Sequence, residues 1–377
     1  MNIRLLLASL FFATTVLAQP WPPRTVSPEI LTNNAVTFRL HAPDAQKVTV
    51  YGDWPKELGG GPMTKDDKGV WSLTVGPLAP DIYTYTFNVD GVNLLDPANK
   101  LAKPSRSLTG SVLDLPPATP AMWDRQPGVA RGTVHLHDYF SKSLGRERRL
   151  RVYTPPGYDA SKKKVYPVFY LLHGSGDNEA VWTEYGHANI IFDNLIAAGK
   201  AVPMIVVMTD GHAGSNDEGA ATAFQADLLQ DVMPLIEATY HVGKTPALRA
   251  IAGLSMGANQ SITIGLNYLD TFGWIGGMSS AMRDLDHNLA PFLADTKANA
   301  SKLKLLWLAC GKDDQFMKNN VALHELLVAR GVPHEWVVTD GSHRWMVWRR
   351  NLVELTPKLF HSAKMMLAKP ALYPLYY

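Results

Sequence analysis

One serine in the sequence has the surroundings of a catalytic nucleophile. Residues 251–258 read IAGLSMGA, so Ser255 has a glycine two positions before it and another two positions after it. A mostly apolar strand is predicted at 248–252 and a helix after the serine, and a sharp strand-to-helix turn needs glycines where side chains would clash. Such a turn would lift the hydroxyl above a sheet and face it with the free N–H groups of the helix. A serine that only caps the helix is the alternative interpretation.

A serine hydroxyl needs a general base, and a histidine on a later loop is the natural candidate. His343 follows a predicted strand at 335–338, and catalytic side chains gather on loops at the carboxyl ends of strands. His334 comes immediately before the same strand and would therefore lie at its other end. His324 and His361 fall in helical patterns and are interpreted as solvated or packing residues. The sequence therefore predicts His343 as the base.

An acid should orient the imidazole ring and stabilise its protonated form. The predicted strand at 305–309 ends in the residues CGKDD, which offer Asp313 and Asp314. Spacing alone does not separate these two carboxylates, and Asp340 is a third candidate. The residues thus predict a serine, histidine and acid triad in which the identity of the acid is open.

Backbone N–H groups must stabilise the oxygen that becomes negative when a serine attacks a carbonyl carbon. Met256 follows the nucleophile directly and offers one such group. The loop after the predicted strand at 168–172 offers the second, from Gly174 or Ser175. His173 in that loop is interpreted as a structural brace, not as a second base.

The composition disfavours several other kinds of chemistry. The chain has 377 residues with 36 Lys+Arg and 34 Asp+Glu, and this net charge of +2 favours neither nucleic acid nor an anionic membrane as a partner. Its one cysteine, Cys310, excludes an intrachain disulfide and a cysteine zinc cluster. His135 and His137 alternate on a predicted strand without a third ligand at a recognisable spacing, so no metal site is predicted. No glycine-rich phosphate loop stands out, so no cofactor is expected.

Two hydrophobic patterns divide the chain. In residues 25–115 short alternating runs are separated by turn residues, which predicts a small immunoglobulin-like β-sandwich. A proline-rich stretch at 116–129 predicts a linker. From 130 to 370, continuous apolar runs such as 168–172 and 203–208 alternate with helical patterns, which predicts an α/β domain with a mainly parallel sheet covered on both faces.

The first eighteen residues have the layout of a secretory signal peptide. Arg4 precedes an apolar stretch at 5–18 that ends in the compact residues VLA. Fourteen residues rise only about 21 Å as a helix, which is too short for a bilayer core of about 30 Å. We therefore expect a secreted or periplasmic protein with no membrane contact after the signal is removed. The sequence indicates no particular oligomeric state.

Residues 130–370 resemble the esterase D and feruloyl esterase group of α/β-hydrolases, which is carbohydrate esterase family 1. The matching stretches occur in the expected order: 152–158 (VYTPPGY), 171–174 (LLHG), Glu179 with Trp182, 253–257 (GLSMG), 311–314 (GKDD), and 342–345 (SHRW) with Trp348. In this family the acid lies three residues after the glycine of the GKDD stretch, so the resemblance selects Asp314. It implies an α/β-hydrolase fold and ester hydrolysis through an acyl-enzyme on Ser255.

Residues 30–100 resemble the β-sandwich that precedes the catalytic domains of isoamylases and branching enzymes. Glycogen-binding relatives of this sandwich use two tryptophans and a lysine. Trp54 corresponds to the first tryptophan, whereas Thr86 and Asn93 stand at the other two positions. Two interpretations follow: sugar binding, or a docking role in which the sandwich forms one wall of the active-site cleft.

Together with the predicted signal peptide, these resemblances imply a secreted serine esterase whose partner is ester-decorated plant cell-wall polysaccharide or oligosaccharide, with feruloyl esters as substrates. Acetyl xylan esters and enterochelin-type siderophore esters are alternatives of the same chemistry. A non-catalytic carbohydrate-binding protein on a hydrolase fold is the alternative of another class. A hydroxycinnamoyl ring could stack on aromatic side chains near the active-site loops. The predicted substrate-binding residues are Trp182, Trp345, Phe316 and Glu179. Trp345 and Trp348 also follow a helical spacing that would suit a core.

Overall fold

The computed structural model describes residues 25–107, 110–161, 164–214 and 220–361, and the architecture changes between residues 114 and 133. Before this point the chain forms antiparallel sheets, and after it a mainly parallel sheet with helices. The predicted signal peptide at 1–18 lies outside the described residues. So do residues 362–370, the end of the predicted α/β domain.

The first part is a sandwich of two antiparallel sheets. Its strands are β1 Glu29–Ile30, β2 Val36–His41, β3 Val48–Gly52, β4 Gly61–Pro62, β5 Thr64–Lys65, β6 Val70–Val75, β7 Ile82–Val89, β8 Val92–Leu94 and β9 Ser111–Asp114. One sheet has the order β1-β2-β6-β5 and the other β4-β3-β7-β8, with β9 also paired to β7. Alternate side chains of the strands point inward and fill the space between the two sheets. Phe38 in β2 and Tyr85 and Phe87 in β7 are fully buried there.

Trp54 belongs to this core and not to the surface. It is 2% exposed, stacks on Phe38 with ring centroids 5.4 Å apart, and donates its indole N–H to the carbonyl oxygen of Gly59 at 2.8 Å. The structure therefore contradicts the match of Trp54 to a sugar-binding tryptophan, because a ring that is packed between two sheets cannot stack on a ligand.

The second part is built on one sheet. Its strands are β10 Thr133–Ser141, β11 Arg146–Thr154, β12 Val168–Leu172, β13 Ile205–Thr209, β14 Arg249–Leu254, β15 Trp274–Met278, β16 Leu305–Gly311 and β17 Glu335–Thr339. They lie in the order β10-β11-β13-β12-β14-β15-β16-β17; β10, β11 and β13 pair antiparallel, and the remaining pairs are parallel. Phe169 and Leu171 pack on one face of the sheet, and Tyr170 and Leu172 on the other, as burial on both faces requires.

Helices cover both faces of this sheet. They are Val181–Glu184, Ala188–Ala197, Ala220–Ala226, Met233–Thr239, Met256–Asn267, Leu285–Asn288, Ala290–Ala294, Thr296–Ala300, Met317–Ala329 and Trp345–Leu355; a π-helical segment, Asp227–Val232, joins the third to the fourth. Short 3₁₀ turns lie at Lys56–Leu58, Pro246–Leu248 and Thr356–Lys358. Within the described ranges, none of the helices combines the length and the apolar character that a membrane span requires.

Strand β15 has no counterpart among the strands predicted from the sequence. Its residues read WIGGM, and two adjacent glycines lower the strand propensity of so short a run. The reason for the glycines is close packing. A Cβ atom at Gly276 would lie 2.8 Å from the Ala252 Cβ, and one at Gly277 would lie 2.5 Å from the Ile262 side chain.

The segment predicted as a linker is fixed to the α/β part. The Asn194 amide donates to the carbonyl oxygens of Met122 and Asp124 at 2.9 and 2.8 Å. The Arg349 guanidinium lies 4.8 Å from the centre of the Trp123 ring. These contacts dock the joint between the two parts against the helices that cover the sheet.

Candidate active site

Ser255 stands at the turn between β14 and the helix Met256–Asn267. Its backbone has φ 53° and ψ −115°, a conformation that an L residue rarely adopts and that a tight turn can impose. A Cβ at Gly253 would lie 2.7 Å from the backbone of Gly257, and a Cβ at Gly257 would lie 2.4 Å from the carbonyl oxygen of His173. Both glycines of the predicted turn are thus needed for close approach of the backbone.

The structure brings together three side chains that the sequence singled out. His343 Nε2 lies 3.0 Å from Ser255 Oγ. His343 Nδ1 lies 2.9 and 3.1 Å from the two carboxylate oxygens of Asp314. With its proton on Nδ1 and directed to the carboxylate, the ring presents the lone pair of Nε2 to the serine hydroxyl. This arrangement can remove the proton from Ser255 as its oxygen attacks.

The three candidate acids have different positions. Asp314 is buried and faces His343. Asp313 is exposed, and Asp340 forms an exposed ion pair with Lys312 at 2.6 Å. Geometry therefore selects the same aspartate as the family resemblance does.

The environment of Asp314 keeps its carboxyl ionised. Burial by itself raises the pKa of this group, but hydrogen bonds from His343, from the backbone N–H of Phe316 at 2.8 Å and from the Ser279 hydroxyl outweigh it. The result is a pKa below the ordinary value for aspartate. At neutral pH the group is thus a carboxylate that can stabilise a protonated His343.

Ser279 is a site residue that the sequence analysis did not identify. It follows β15 with φ 55°, and its hydroxyl accepts a hydrogen bond from the Trp348 indole N–H at 3.0 Å while it hydrogen-bonds Asp314. Ser279 could be identified from its position directly after a strand that lies between β14 and β16 in the sheet. The sequence does not predict that strand, so the sequence analysis misses Ser279.

Two aromatic rings hold the His343 imidazole from its sides. The ring centroids of Phe316 and Trp348 lie 4.9 and 4.8 Å from that of His343, and both meet it edge to face. Phe316 is half-buried, so it can also reach a bound ligand. Its predicted contact with substrate stays a prediction.

The structure contradicts the prediction that two tryptophans bind substrate. Trp182 is 1% exposed and donates its indole N–H to the carbonyl oxygen of Leu172 at 3.0 Å. Trp345 is 5% exposed and packs edge to face on Trp182 at 4.9 Å. Both rings fill the core beside the site, as the helical spacing around Trp345 indicated. Glu179 is half-buried, and its predicted role is untested.

The predicted oxyanion groups lie around the nucleophile. A Cβ at Gly174 would stand 3.3 Å from the Cβ of Ser255, so this loop passes directly beside the serine. Ser175 is the next residue and is exposed. Met256 opens the helix, where the first N–H groups have no partner within the helix. The stabilisation of an oxyanion by these groups stays a prediction.

His173 has the contacts of a brace. It is buried, its Nδ1 donates to the carbonyl oxygen of Gly174 at 2.7 Å, and its Nε2 accepts from the backbone N–H of Gly211 at 2.8 Å. It therefore ties the loop after β12 to the loop after β13.

Two family models match the chain. The Esterase model matches residues 141–359, which is more than half of the chain. The model of carbohydrate-binding module 48, the isoamylase N-terminal domain, matches residues 25–104. These ranges agree with the change in architecture after Asp114.

A curated relative is similar over both parts. The endo-1,4-beta-xylanase/feruloyl esterase of Xylanibacter ruminicola is 30% identical over 348 residues, which cover 88% of this chain and 46% of the relative. The chain thus spans less than half the length of that protein, and smaller shares of three other curated relatives.

Solved structures show the same fold. A ferulic acid esterase superposes with a TM-score of 0.56 at 29% identity and covers 61% of this chain and 98% of its own. The enterobactin esterase of Shigella flexneri superposes with a TM-score of 0.64 at 19% identity and covers 86% of this chain and 92% of its own. The second likeness concerns the fold alone, and it extends over much of both parts.

Proposed function

The chain belongs to the Esterase family, and we propose that it is a serine carboxylic ester hydrolase that removes feruloyl groups from plant cell-wall polysaccharide. The observation that carries the proposal is the chain of hydrogen bonds from Ser255 through His343 to Asp314. The similarity to a xylanase/feruloyl esterase and to a ferulic acid esterase supports the choice of acyl group and polymer.

The proposed reaction has two steps. His343 Nε2 takes the hydroxyl proton while Ser255 Oγ forms a bond to the ester carbonyl carbon, and the carbonyl oxygen becomes negative beside the N–H groups of Met256 and of Gly174 or Ser175. His343 then gives its proton to the departing sugar oxygen, which leaves an acyl group on Ser255. Water then loses a proton to the same ring and attacks the acyl carbon, and the ring returns this proton to Ser255 Oγ as the bond to the acyl group breaks and the acid leaves.

A groove between the two parts of the molecule is the candidate site for the sugar of the leaving group. It has a volume of about 460 Å³ and is lined on the sandwich side by Tyr51, Gly52, Asp53, Thr84, Tyr85, Thr86, Asn88 and Asn93. On the α/β side Arg344 lines it, and this residue directly follows His343. The exposed ring of Tyr51 offers a face for stacking, and the amides and Arg344 offer hydrogen bonds to hydroxyl groups.

This groove changes which residues of the sandwich we propose to bind sugar, compared with its carbohydrate-binding relatives. Thr86 and Asn93, which replace two sugar-binding residues of the relatives, both line it, whereas Trp54 is buried beneath. We therefore place sugar recognition at the joint between the parts, where a polymer would already lie beside the ester to be cut.

Side-by-side assays test this function. Methyl ferulate, acetylated xylan and a trilactone siderophore are offered to the protein, and the hydrolysis of methyl ferulate is expected to have the highest kcat/KM. A higher value for one of the other two would replace the feruloyl proposal by that alternative. No turnover of any of them, nor of p-nitrophenyl acetate, would favour a binding protein on a hydrolase fold.

An Asn93→Ala variant tests the groove. Its KM for feruloylated xylan oligosaccharides should rise several-fold while its kcat/KM for methyl ferulate stays unchanged, because methyl ferulate has no sugar. The matched control is Asn299→Ala, a substitution of the same kind on the α/β part at a residue that does not line the groove. Equal KM values for the oligosaccharide in wild type and Asn93→Ala would argue against this site.

We also propose that the protein works outside the cytoplasm, on the basis of the signal-like residues 1–18. Expression of the full-length chain in a bacterial host should yield a mature protein that begins at Gln19 in the exported fraction. N-terminal sequencing provides the measurement, and an uncleaved protein in the cytoplasm would contradict this proposal.

A further inference from the structure

We propose that the sandwich holds the oxyanion loop in its working position, with Lys103 and Asp177 as a pair of positioning residues. The oxyanion loop is defined here as residues 174–177. The inference rests on the proposed function, because it assigns a role to the loop that carries the candidate N–H groups. Neither side chain is placed in contact with the reacting atoms.

The sandwich side touches this loop through its backbone. The N–H of Arg106 donates to the carbonyl oxygen of Gly176 at 2.9 Å, and Ser105 and Asp177 form an antiparallel bridge. The segment around Ser105 lies between β8 and β9, the last two strands of the sandwich. A piece of the first part of the molecule thus pairs with the chain directly after Ser175.

An ion pair holds the same point. Lys103 Nζ lies 2.6 Å from Asp177 Oδ1, and the two side chains are 22% and 5% exposed. The ammonium group also lies 5.7 and 5.8 Å from the centres of the Tyr185 and Trp345 rings. Removal of the lysine would leave the aspartate charge buried without its partner, which is far more costly than the loss of an exposed pair.

Asp177 is linked directly to the candidate oxyanion groups. Its N–H donates to the carbonyl oxygen of Gly174 at 3.3 Å, which closes the turn that contains Ser175. On the other side of the turn, the N–H of Gly176 donates to His212 Nε2 at 3.1 Å. If Asp177 moves, the turn loses the hydrogen bond that closes it, and the directions of the N–H groups of Gly174 and Ser175 change.

Oxyanion stabilisation is sensitive to such changes. Loss of one donor costs about 10²–10³ in kcat, so a misdirected donor should cost part of that factor. The two parts of the molecule stay joined by other contacts, such as the hydrogen bond of 2.7 Å between Thr84 and Tyr185 and the ion pairs of Asp81 with Arg349 and Arg350. We therefore expect the Lys103 variant to be folded and slow.

The test compares Lys103→Met, Lys103→Arg and wild type. In Lys103→Met, kcat for methyl ferulate should fall about 10- to 100-fold with a change in KM of less than about threefold. The rate at which a fluorophosphonate modifies Ser255 should fall by a similar factor, since its phosphoryl oxygen occupies the place of the carbonyl oxygen. Lys103→Arg keeps the charge, the bond to Asp177 and the stacking on the rings, so it should recover most of both rates.

Lys302→Met is the matched control, because this lysine forms an exposed ion pair with Asp270 on the α/β part. It should leave both rates unchanged. Wild-type rates in a folded Lys103→Met would overturn the inference, and so would a loss that appears in KM alone or that Lys103→Arg does not recover. If Lys103→Met does not fold, Asp177→Asn provides the same test with a side chain of equal size.

The proposed function and this inference fail in different ways. A wild type that hydrolyses no ester would end the proposed function. The fluorophosphonate rates would still show whether the Lys103 pair positions the loop, because this probe reacts with an activated serine irrespective of the natural substrate.

Discussion

The sandwich and the α/β part contribute to the site in different ways. The carboxyl ends of the parallel strands β14, β16 and β17 lie at the same edge of one sheet. The three triad residues follow these ends: Ser255, Asp314 and His343. Strand spacing of about 4.8 Å and the strained turn at Ser255 fix their separations. In the described part of the chain, the sandwich contributes none of these three side chains, but it contacts the segments beside them.

This contrast teaches how the two parts should respond to substitution. Exchanges at the strand ends should remove chemistry while the fold survives, because these side chains are held by a sheet with its own core on each face. Substitutions in the sandwich should alter stability, loop position or sugar recognition, since Asp81 and Lys103 form ion pairs with the α/β part and Asp53 lines the groove that Arg344 also lines.

Ser255→Ala should have the largest effect. It removes the attacking oxygen, so kcat for methyl ferulate should fall by about 10⁴- to 10⁶-fold, while thermal unfolding stays close to that of wild type. Stopped or continuous assays and a melting curve give the two values. Retained turnover in a folded variant would refute the catalytic assignment and the proposed function with it.

Asp314→Asn should cause the second largest loss of activity. An amide cannot stabilise the protonated imidazole and can favour the wrong tautomer, so kcat should fall by about 10³- to 10⁴-fold. Asp313→Asn is a neighbouring control, since this carboxylate is exposed and makes no contact with His343 among those the structure shows. If the two variants lost activity equally, the choice between the adjacent aspartates would be wrong.

The sequence was most informative where function depends on local backbone. The glycines around Ser255 report a turn whose steric needs involve only a few residues, and His343 could be chosen because it follows a strand. The sequence does not decide which aspartate is the acid of the triad. Asp313 and Asp314 are adjacent, and which of them turns inward depends on contacts with Phe316, Ser279 and His343 that the order of residues does not show.

The sequence was least informative about which aromatic residues contact a ligand. Trp182 and Trp345 occur beside site motifs in the sequence because their rings support the site from within the core, so closeness to a motif did not imply contact with a ligand. Contacts between distant segments were not predictable at all. Lys103 meets Asp177, and Asp81 meets Arg349, only after both parts have folded and docked.

Asp81→Asn should have the largest effect on stability. The carboxylate is buried between two guanidinium groups, those of the fully buried Arg349 and of Arg350, and accepts the N–H of Ile82 at 2.9 Å. Its neutralisation leaves a buried cation without compensation, so the free energy of unfolding should fall by about 3–5 kcal/mol. Urea titration measures this change.

The control for Asp81 is Glu29→Gln within the same sandwich. Glu29 pairs with Arg39 at a partly exposed position, and loss of such a pair should cost about 1 kcal/mol or less. A small effect of Asp81→Asn, equal to that of the control, would mean that the sandwich docks through its other contacts. The division of roles between the two parts would then need revision at this joint.

Asp53→Asn should have the smallest effect on stability, and the size of this effect depends on pH. Burial raises the pKa of Asp53 to about 6, although the N–H of Thr84 at 2.8 Å and the charge of Arg344 oppose the shift. Since the pKa in the folded state is above that in the unfolded chain, this group favours folding fully below about pH 4, and the contribution is lost as pH rises through about 6.

Asparagine can keep the bond to Thr84 without the charge. The variant should therefore be more stable than wild type by about 1–2 kcal/mol at pH 8 and equal to it at pH 4. Urea titrations at the two pH values measure the difference, and a variant that is less stable at pH 8 would show that the Asp53 carboxylate holds Arg344 across the groove more strongly than burial opposes its charge.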